Sequence, residues 1–386
     1  MKFSFTDEQQ QFREFVRRFM EANSSASEVR RLMETEQGYD NDVWQALAAS
    51  LGLQGLHIPE EYGGQGFGPI ELCIALEEMG RCLLCAPFFG SSVLATQAIL
   101  QAGDEDEKQA LLPDLAAGDK ISALAIAEPE GLWDASGINM TATKKDNTYV
   151  LKGVKSFVVD AQIADYIVVV ARTPGTTGTS GISFFVVDKS AQDLEMRLLD
   201  TIDETRKLSI LEFNDVIAKP LGEVGNEGEA LNQTLILCYV ALANEMVGGA
   251  QRLLESALDY AKLRVQFGRT IGSFQVTKHK CADLLLEVEL VKSAAYYAAE
   301  AAAENSSDLA SAASLAKALA SDTFMHVAAE TIQIHGGIGF TWENDTHLYF
   351  KRAKSSEVFF GGPELHRELL LIEAEQEMKS SEKVAS

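Results

Sequence analysis

The stretch Arg264–Phe274 reads RVQFGRTIGSF, and Gln275 follows it directly. A second stretch, Gln333–Phe340, reads QIHGGIGF. Arg264 offers a planar, permanently charged fork that suits phosphate oxygens, and Gly336–Gly337 allow a backbone to approach a ligand closely because glycine has no Cβ. Each stretch taken alone is also typical of a solvated helix residue or of glycines that end a helix. The surrounding sequence therefore has to decide between these interpretations.

Helical patterns lie on both sides of the two stretches. Apolar residues recur at helical spacing from Gly228 to about Gln376, most clearly in Asn232–Leu263 and in the alanine-rich Gln275–Ala303. Alanine and unbranched polar side chains favour helix, and alanine-rich faces allow helices to pack closely. The region 7–117 has the same helical periodicity. The sequence therefore predicts a helical region at each end of the chain.

The middle of the chain has a different pattern. Short runs rich in valine, isoleucine and phenylalanine, bounded by turn residues, fit strands of an antiparallel β domain. The clearest runs are Asn147–Lys152, Tyr166–Ala171 and Ile182–Asp188, with a loop at 174–181. We therefore predict an α+β protein of three domains, which are an N-terminal helical domain at 1–118, a middle β domain at 119–225 and a C-terminal helical-bundle domain at 226–386.

The two quoted stretches and the order of these regions resemble the acyl-CoA dehydrogenase family. The resemblance covers essentially the whole chain, including the sequence LHIPEEYGG at Leu56–Gly64. It implies a fold with an N-terminal helical domain, a middle antiparallel β-barrel domain and a C-terminal four-helix bundle. It also implies FAD as the cofactor, held at its ADP end across a subunit interface by seven residues of this chain: Arg264, Gln266, Phe267, Gln275, Gln333, Gly336 and Gly337.

The sequence departs from the family at the usual catalytic base. Val358–Gly362 reads VFFGG where the family carries a tyrosine, a glutamate, a glycine and a threonine, so that Phe360 takes the place of the glutamate. Oxidation of an acyl-CoA requires a carboxylate that removes the α-proton while hydride leaves the β-carbon, together with donors to the thioester oxygen. Phenylalanine can do neither. The resemblance therefore leaves the base unidentified.

The positions that hold the flavin ring in the family also differ. Ala127 replaces a threonine, and Trp133 replaces a serine, in the stretch Ala127–Asp134. In Lys155–Asp160, Val159 replaces a threonine that bonds near the reactive nitrogen in the family, and Val159 offers no donor. The resemblance therefore implies that the contacts to the ADP end of FAD are preserved, whereas the polar contacts to its ring are weakened.

One carboxylate could serve as a displaced base. A subset of the family places an alternative glutamate where our ungapped alignment puts Cys238 and Tyr239, and neither supplies a carboxylate. Glu245 lies seven residues after Cys238, two helical turns along the same face, so it is a weak candidate. The alternative is a buried or interface glutamate that is satisfied by a partner. His335 is interpreted as a packing residue within the glycine turn.

Composition limits the kinds of partner. The chain of 386 residues has a net charge of −24, which opposes nonspecific binding to nucleic acid, so any polyanionic ligand must be met by local cations such as Arg264 and Arg269. Cys82–Cys85 is a single C-x-x-C without two further soft ligands, and the six histidines do not cluster, so we predict no metal site. The odd number of five cysteines favours reduced thiols in the cytoplasm. No apolar run approaches the length of about 18 residues that a membrane span needs.

Three functions of different classes remain open. The first is the base-lacking subunit of a heteromeric FAD-dependent acyl-CoA dehydrogenase, paired as α2β2 with a second dehydrogenase-like subunit. The second is a self-sufficient flavin dehydrogenase that uses a displaced base such as Glu245. The third is a flavin-free binding or scaffold homologue. The resemblance implies an acyl-CoA substrate, with bulky or sterol-derived chains as candidates, and an electron-transfer flavoprotein or a similar acceptor.

Overall fold

The computed structural model describes residues 5–146 and 148–385, with the side chains of 376, 377 and 379–385 left out. Its helices are α1 (Asp7–Asn23), α2 (Ala26–Met33), α3 (Asn41–Leu51), α4 (Pro69–Cys82), α5 (Thr96–Ala102), α6 (Glu105–Ala116), α7 (Gly228–Leu263), α8 (Gln275–Ala303), α9 (Leu309–His335), α10 (Thr346–Val358) and α11 (Pro363–Ala385). Its strands are β1 (Ser122–Ala125), β2 (Thr141–Lys145), β3 (Thr148–Val159), β4 (Tyr166–Arg172), β5 (Ile182–Asp188), β6 (Leu194–Leu198), β7 (Leu208–Leu221), β8 (Val265–Gln266) and β9 (Arg269–Thr270).

These elements form two compact units. The helical unit comprises Met1–Ala26, Pro69–Leu84 and Tyr239–Ser386, and the barrel unit comprises Ser27–Gly68 and Cys85–Cys238. The prediction of an α+β protein with helical ends and a β middle is confirmed. The predicted strand at Asn147–Lys152 begins at Thr148, and Asn147 lies outside the described residues.

The barrel unit contains a closed ring of strands. In the order β4–β2–β3–β7–β5, each strand pairs with the next, and β5 pairs again with β4. Closure removes the free edges that an open sheet exposes. The antiparallel prediction needs one refinement, because β4 runs parallel to both β1 and β2. The long connections between these strands in the sequence allow this, whereas a tight hairpin would not.

The helical unit is held by close backbone crossings. A Cβ at Gly80 of α4 would lie 2.0 Å from the carbonyl oxygen of Glu245 on α7, and a Cβ at Gly248 would lie 1.9 Å from the carbonyl oxygen of Glu77. Only glycine permits such an approach. The crossing therefore fixes the position of the α7 segment that carries Glu245.

Helix α7 is also the one helix, within the described residues, that is long and apolar enough to cross a membrane by length and composition. Its most apolar window is 72% buried inside the protein. Core helices of soluble proteins pass the same test, so the finding is weak support for a membrane span.

Candidate functional site

A tight hairpin follows α7 in the helical unit. Strands β8 and β9 are joined by Phe267 and Gly268, whose φ angles are 53° and 77°. Two-residue hairpins of this kind need positive φ at both positions, which glycine adopts freely and phenylalanine does not. Phe267 is nevertheless 91% exposed. A strained backbone that holds an aromatic ring in solvent is typical of a contact position.

The register of the hairpin decides which side chains act together. Gln266 lies opposite Arg269, and the amide of Ile271 donates to the carbonyl oxygen of Arg264. Because side chains alternate along a strand and opposite residues share a face, Arg264, Gln266 and Arg269 lie on one face. The guanidinium of Arg269 also stacks 3.9 Å from the centre of the Phe274 ring. The sequence indicated Arg269 only as a local cation. The register places it on the same face as the two predicted cofactor contacts, Arg264 and Gln266.

The second predicted stretch forms a turn at the end of α9. Gly336 has φ 65° and ψ −143°, a conformation that favours glycine. Gly337 has no such requirement, and a Cβ at either glycine would meet nothing within 4 Å in the described chain. Packing within this chain therefore gives no reason for a glycine at 337. The open backbone at Gly337 leaves room for close approach of a ligand or of another chain.

The ends of α7 and α9 are brought together by two contacts. The Thr331 hydroxyl donates to the Leu253 carbonyl oxygen over 3.4 Å, and the rings of Tyr260 and His335 stack with centroids 4.3 Å apart. His335 is buried, and its Nδ1 bonds the carbonyl oxygen of Thr331 over 2.8 Å. Both contacts advance in the same direction along the two helices, so the Arg264 hairpin and the glycine turn begin at the same end of the helical unit.

The remaining predicted ADP contacts are exposed at helix ends. Gln333 lies in the last turn of α9, and Gln275 is the first residue of α8. The residue before Gln275 makes no side-chain cap to α8, so the amides of its first turn stay available to an acceptor.

The position of the missing base is filled by a packed aromatic ring. Phe360 is 0% exposed, and its ring centroid lies 5.9 Å from that of Tyr239 and 4.7 Å from that of Phe359. Its φ is 61°. Its carbonyl oxygen accepts a hydrogen bond of 3.2 Å from Nε2 of His366, which is fully buried. The ring of Phe360 contacts two aromatic side chains, so its position is packed and not open to solvent.

A buried lysine holds the same turn from the other side. Nζ of Lys317, itself 0% exposed, donates to Ser321 Oγ over 3.0 Å, to the Glu357 carbonyl over 3.1 Å and to the Gly361 carbonyl over 3.2 Å. Burial lowers the pKa of Lys317 to about 7. Three acceptors match the three N–H bonds of an ammonium group. Neither Lys317 nor His366 was predicted, because their importance arises only from tertiary burial.

The buried His366 predicts that the stability of the folded chain depends on pH. Burial first, and the neighbouring Lys317 charge second, lower the pKa of His366 to about 4, below the ordinary value near 6.5. The unfolded chain therefore binds more protons between pH 6.5 and 4, and stability falls as pH falls through this window. We expect His366→Gln, which keeps a donor to Phe360, to flatten this fall by up to roughly 3 kcal/mol. The measurement is the denaturation midpoint at pH 7.5, 5.5 and 4.5.

The control for this variant is His279→Gln on the exposed face of α8. His57 retains its own share of the acid sensitivity, since burial also lowers its pKa to about 4. An unchanged pH profile in His366→Gln would contradict the assignment to His366.

Glu245, the weak candidate for a displaced base, is buried against an arginine. Its Oε1 lies 2.6 Å from Nη1 of Arg352 on α10, and both side chains are almost completely buried. An arginine at this distance restricts the direction in which the carboxylate can point. The geometry matches the alternative stated above, a buried glutamate satisfied by a partner.

In the barrel unit, the positions that hold the flavin ring in the resembled family are apolar and packed. Ala127 and Val159 are buried, and a Cβ at Gly90 would lie 3.2 Å from Cγ1 of Val159. The nearby charges are used internally: Nζ of Lys155 donates to Glu128 Oε1 over 3.0 Å, and burial lowers the pKa of Lys155 to about 8. Trp133 is half-buried. No hydroxyl donor is supplied by Ala127 or Val159.

The two sets of residues fit FAD unequally. At the end of α7 and α9, two arginines, amide side chains and an open glycine backbone suit a doubly charged pyrophosphate and its nucleoside. At the ring positions, alanine and valine suit an apolar surface only. Among the described residues, no group of three His, Cys, Asp or Glu is arranged to hold a metal ion.

Comparisons with known proteins agree with the fold. The chain matches the N-terminal, middle and C-terminal domain models of acyl-CoA dehydrogenase at 6–119, 123–216 and 231–373. It is 34% identical over 370 residues to acyl-CoA dehydrogenase IpdE2 of Mycolicibacterium smegmatis, covering 96% of this chain and 99% of the relative.

Two solved structures are also similar. A variant of the Tcur3481-Tcur3483 steroid ACAD has a TM-score of 0.86 at 29% identity, covering 98% of this chain and 99% of the other. The ChsE4-ChsE5 complex of Mycobacterium tuberculosis has a TM-score of 0.88 at 25% identity, covering 97% and 99%. The chain therefore belongs to the acyl-CoA dehydrogenase family, whose members are FAD-dependent oxidoreductases that act on acyl-CoA.

Proposed function

We propose that this chain is the base-lacking subunit of a heteromeric acyl-CoA dehydrogenase, assembled as α2β2 with an unlike dehydrogenase-like chain. The observation that carries the proposal is the packed Phe360 at the position of the usual base, fully buried against Tyr239 and Phe359. A chain that lacks this carboxylate needs a partner that supplies it.

The division of cofactor contacts supports the same proposal. The Arg264 hairpin is exposed, and among the described residues no atom lies within 4 Å of a Cβ placed at Gly336 or Gly337, so both stretches can present donors to a ligand. The ring positions Ala127 and Val159 offer none. Two copies of this chain would therefore form two sites without ring donors or base, whereas an unlike partner completes one site per heterodimer.

The role of each residue follows from its chemistry. FAD, when bound, would supply the acceptor for the hydride that leaves the β-carbon of the acyl-CoA. Arg264 neutralises phosphate charge with a planar fork, Gln266 and Gln275 donate amide hydrogen bonds, and Phe267 covers an aromatic ring. Gln333 and the backbone of Gly336 and Gly337 complete the contact. In this proposal, removal of the α-proton is left to the partner.

The substrate is proposed to be an acyl-CoA with a bulky, steroid-derived chain. The support is similarity to the Tcur3481-Tcur3483 steroid ACAD over almost the whole of both chains. A complex of two differently named chains, ChsE4-ChsE5, is among the similar structures and supports an unlike partner. The resemblance further suggests an electron-transfer flavoprotein as acceptor and a cytoplasmic location.

Co-purification tests the proposal. The chain is expressed alone and with a family member that retains the glutamate, and flavin per subunit, mass and turnover of acyl-CoAs are measured. We expect an α2β2 assembly with one flavin per heterodimer and with turnover only in the pair. We expect Glu245→Gln in this chain to leave most of that turnover intact.

Two results would overturn this proposal in favour of the alternatives. A homotetramer with a flavin in every subunit, whose turnover collapses in Glu245→Gln, would make Glu245 the displaced base of a self-sufficient enzyme. A colourless protein in both preparations would indicate a flavin-free scaffold.

Restoring the carboxylate alone is predicted to fail. We expect Phe360→Glu, purified without a partner, to show no rapid bleaching of flavin by acyl-CoAs, because Ala127 and Val159 still provide no donors. The buried position beside Tyr239 also gives a charged carboxylate an unfavourable environment. Anaerobic absorbance at the flavin maximum measures the result, with Phe360→Gln as the uncharged control. Rapid bleaching in Phe360→Glu alone would contradict the view that Ala127 and Val159 leave the flavin ring without the donors that the reaction needs.

A further inference from the structure

The Arg264 hairpin and the glycine turn belong to different helices, so something must hold them in register. Arg264 follows α7, and its amide donates to the carbonyl oxygen of Tyr260 over 2.8 Å. Gly336 follows α9 and comes directly after His335. The ring stack of Tyr260 on His335 therefore joins the residue that anchors one stretch to the residue that begins the other.

The stack is itself held firmly on the α9 side. His335 is buried, its Nδ1 is fixed by the Thr331 carbonyl, and the Thr331 hydroxyl bonds back to α7 at Leu253. The interplanar angle of 21° and the centroid distance of 4.3 Å describe rings that overlap face to face. Two points of attachment, two turns apart on α7, fix both the spacing and the rotation of the helix ends.

We propose that Tyr260 and His335 are positioning residues for the cofactor, acting by holding the Arg264 hairpin and the Gly336–Gly337 turn at the separation that the ADP end of FAD requires. The inference rests on the proposed role of these two stretches in holding ADP. Neither ring has to touch the cofactor for the effect. Removal of the stack lets the two stretches move independently, and the ligand must then restore their separation when it binds.

Loss of the Tyr260–His335 stack should lower the affinity for FAD more clearly than it lowers the stability of the fold. An aromatic pair contributes about 0.5–1.5 kcal/mol, which corresponds to about 2- to 12-fold in binding if the ligand has to restore the pairing. The arginines remain in place when the stack is lost. The salt dependence of FAD binding, which reports the charges that meet the pyrophosphate, should therefore stay unchanged.

The experiment titrates the flavin-depleted assembly with FAD and, separately, with ADP, at low and high salt. We expect Tyr260→Ala to weaken binding of both ligands about 3- to 10-fold with an unchanged salt slope, and Tyr260→Phe to bind as the unmodified chain does. His335→Gln serves as the second variant if Tyr260→Ala is unstable. Tyr149→Ala, which removes a ring pair with Phe185 in the barrel unit, is the matched control and should leave binding unchanged.

The variants distinguish the positioning role of Tyr260 and His335 from the proposed ADP contact of Arg264. Arg264→Ala should weaken FAD binding and reduce its salt slope. If Arg264→Ala has no effect, the proposed ADP contact fails. If Arg264→Ala weakens binding but Tyr260→Ala and His335→Gln do not, only the positioning role fails. Equal losses in Tyr260→Phe and Tyr260→Ala would also overturn it, because the hydroxyl and not the stack would then be responsible.

Discussion

Replacing Arg264 by alanine is expected to weaken binding of FAD to the assembled protein about 10- to 100-fold. The guanidinium is exposed on the hairpin face that it shares with Gln266 and Arg269, so its loss removes a charge-assisted contact without disturbing the core. Such contacts contribute about 1.5–3 kcal/mol, and each 1.4 kcal/mol is tenfold in affinity. Flavin fluorescence during titration of the flavin-depleted assembly gives the dissociation constant.

The neighbouring Lys262 provides the control for this variant. It is an exposed cation in the last turn of α7, and its Nζ lies 3.7 Å from Asp259 Oδ1. Lys262→Ala removes the same charge two residues away and should change FAD affinity little. Equal flavin content in Arg264→Ala and in the unmodified assembly would mean that this chain does not hold the ADP end.

The second large effect concerns stability. We expect Arg352→Met to lower the free energy of unfolding by about 3–5 kcal/mol, because it leaves the buried carboxylate of Glu245 without its arginine. Adding Glu245→Gln should recover much of that loss, since the buried charge is then gone. Denaturant unfolding of the two single variants and the double variant measures the coupling.

An exposed ion pair in the same unit is the control. Arg18 and Glu14 on α1 lie 3.1 Å apart with side chains 68% and 66% exposed. Arg18→Met should cost no more than about 0.5 kcal/mol. If Arg352→Met were as mild as Arg18→Met, the ion pair would contribute little to stability, and the candidacy of Glu245 as a base would strengthen.

The spacing of apolar residues along the sequence predicted helices and strands whose limits depend on local sequence. The limits of Gln275–Ala303 agree with α8, and Ile182–Asp188 agrees with β5, because each segment is bounded by residues that end regular structure. The substitutions at Phe360, Ala127 and Val159 were visible as departures from a family pattern. The domain limits at 118 and 225 stay predictions.

The residues that sequence did not single out act through tertiary contacts. Lys317 lies in an alanine-rich helix and reads as an ordinary surface cation until α10 and α11 bury it. His366 reads as a polar residue in an amphipathic segment, and its bond to the Phe360 carbonyl depends on the intervening turn. The contribution of Tyr260 depends on the alignment of two helices far apart in sequence. Arg269 was named from the sequence as a local cation, but its place beside Gln266 depends on the hairpin register.

The exposed hairpin has a consequence for the chain before it enters the proposed heteromeric assembly. Phe267 is 91% exposed and Phe340, just after the glycine turn, is 81% exposed. Apolar rings exposed to water favour aggregation and recognition by chaperones. In the proposed heteromeric assembly, newly made chain in excess of its partner would therefore be an orphan subunit that is removed by proteolysis or precipitates. Balanced synthesis of the two chains, more than the strength of the final complex, would then set how much enzyme accumulates.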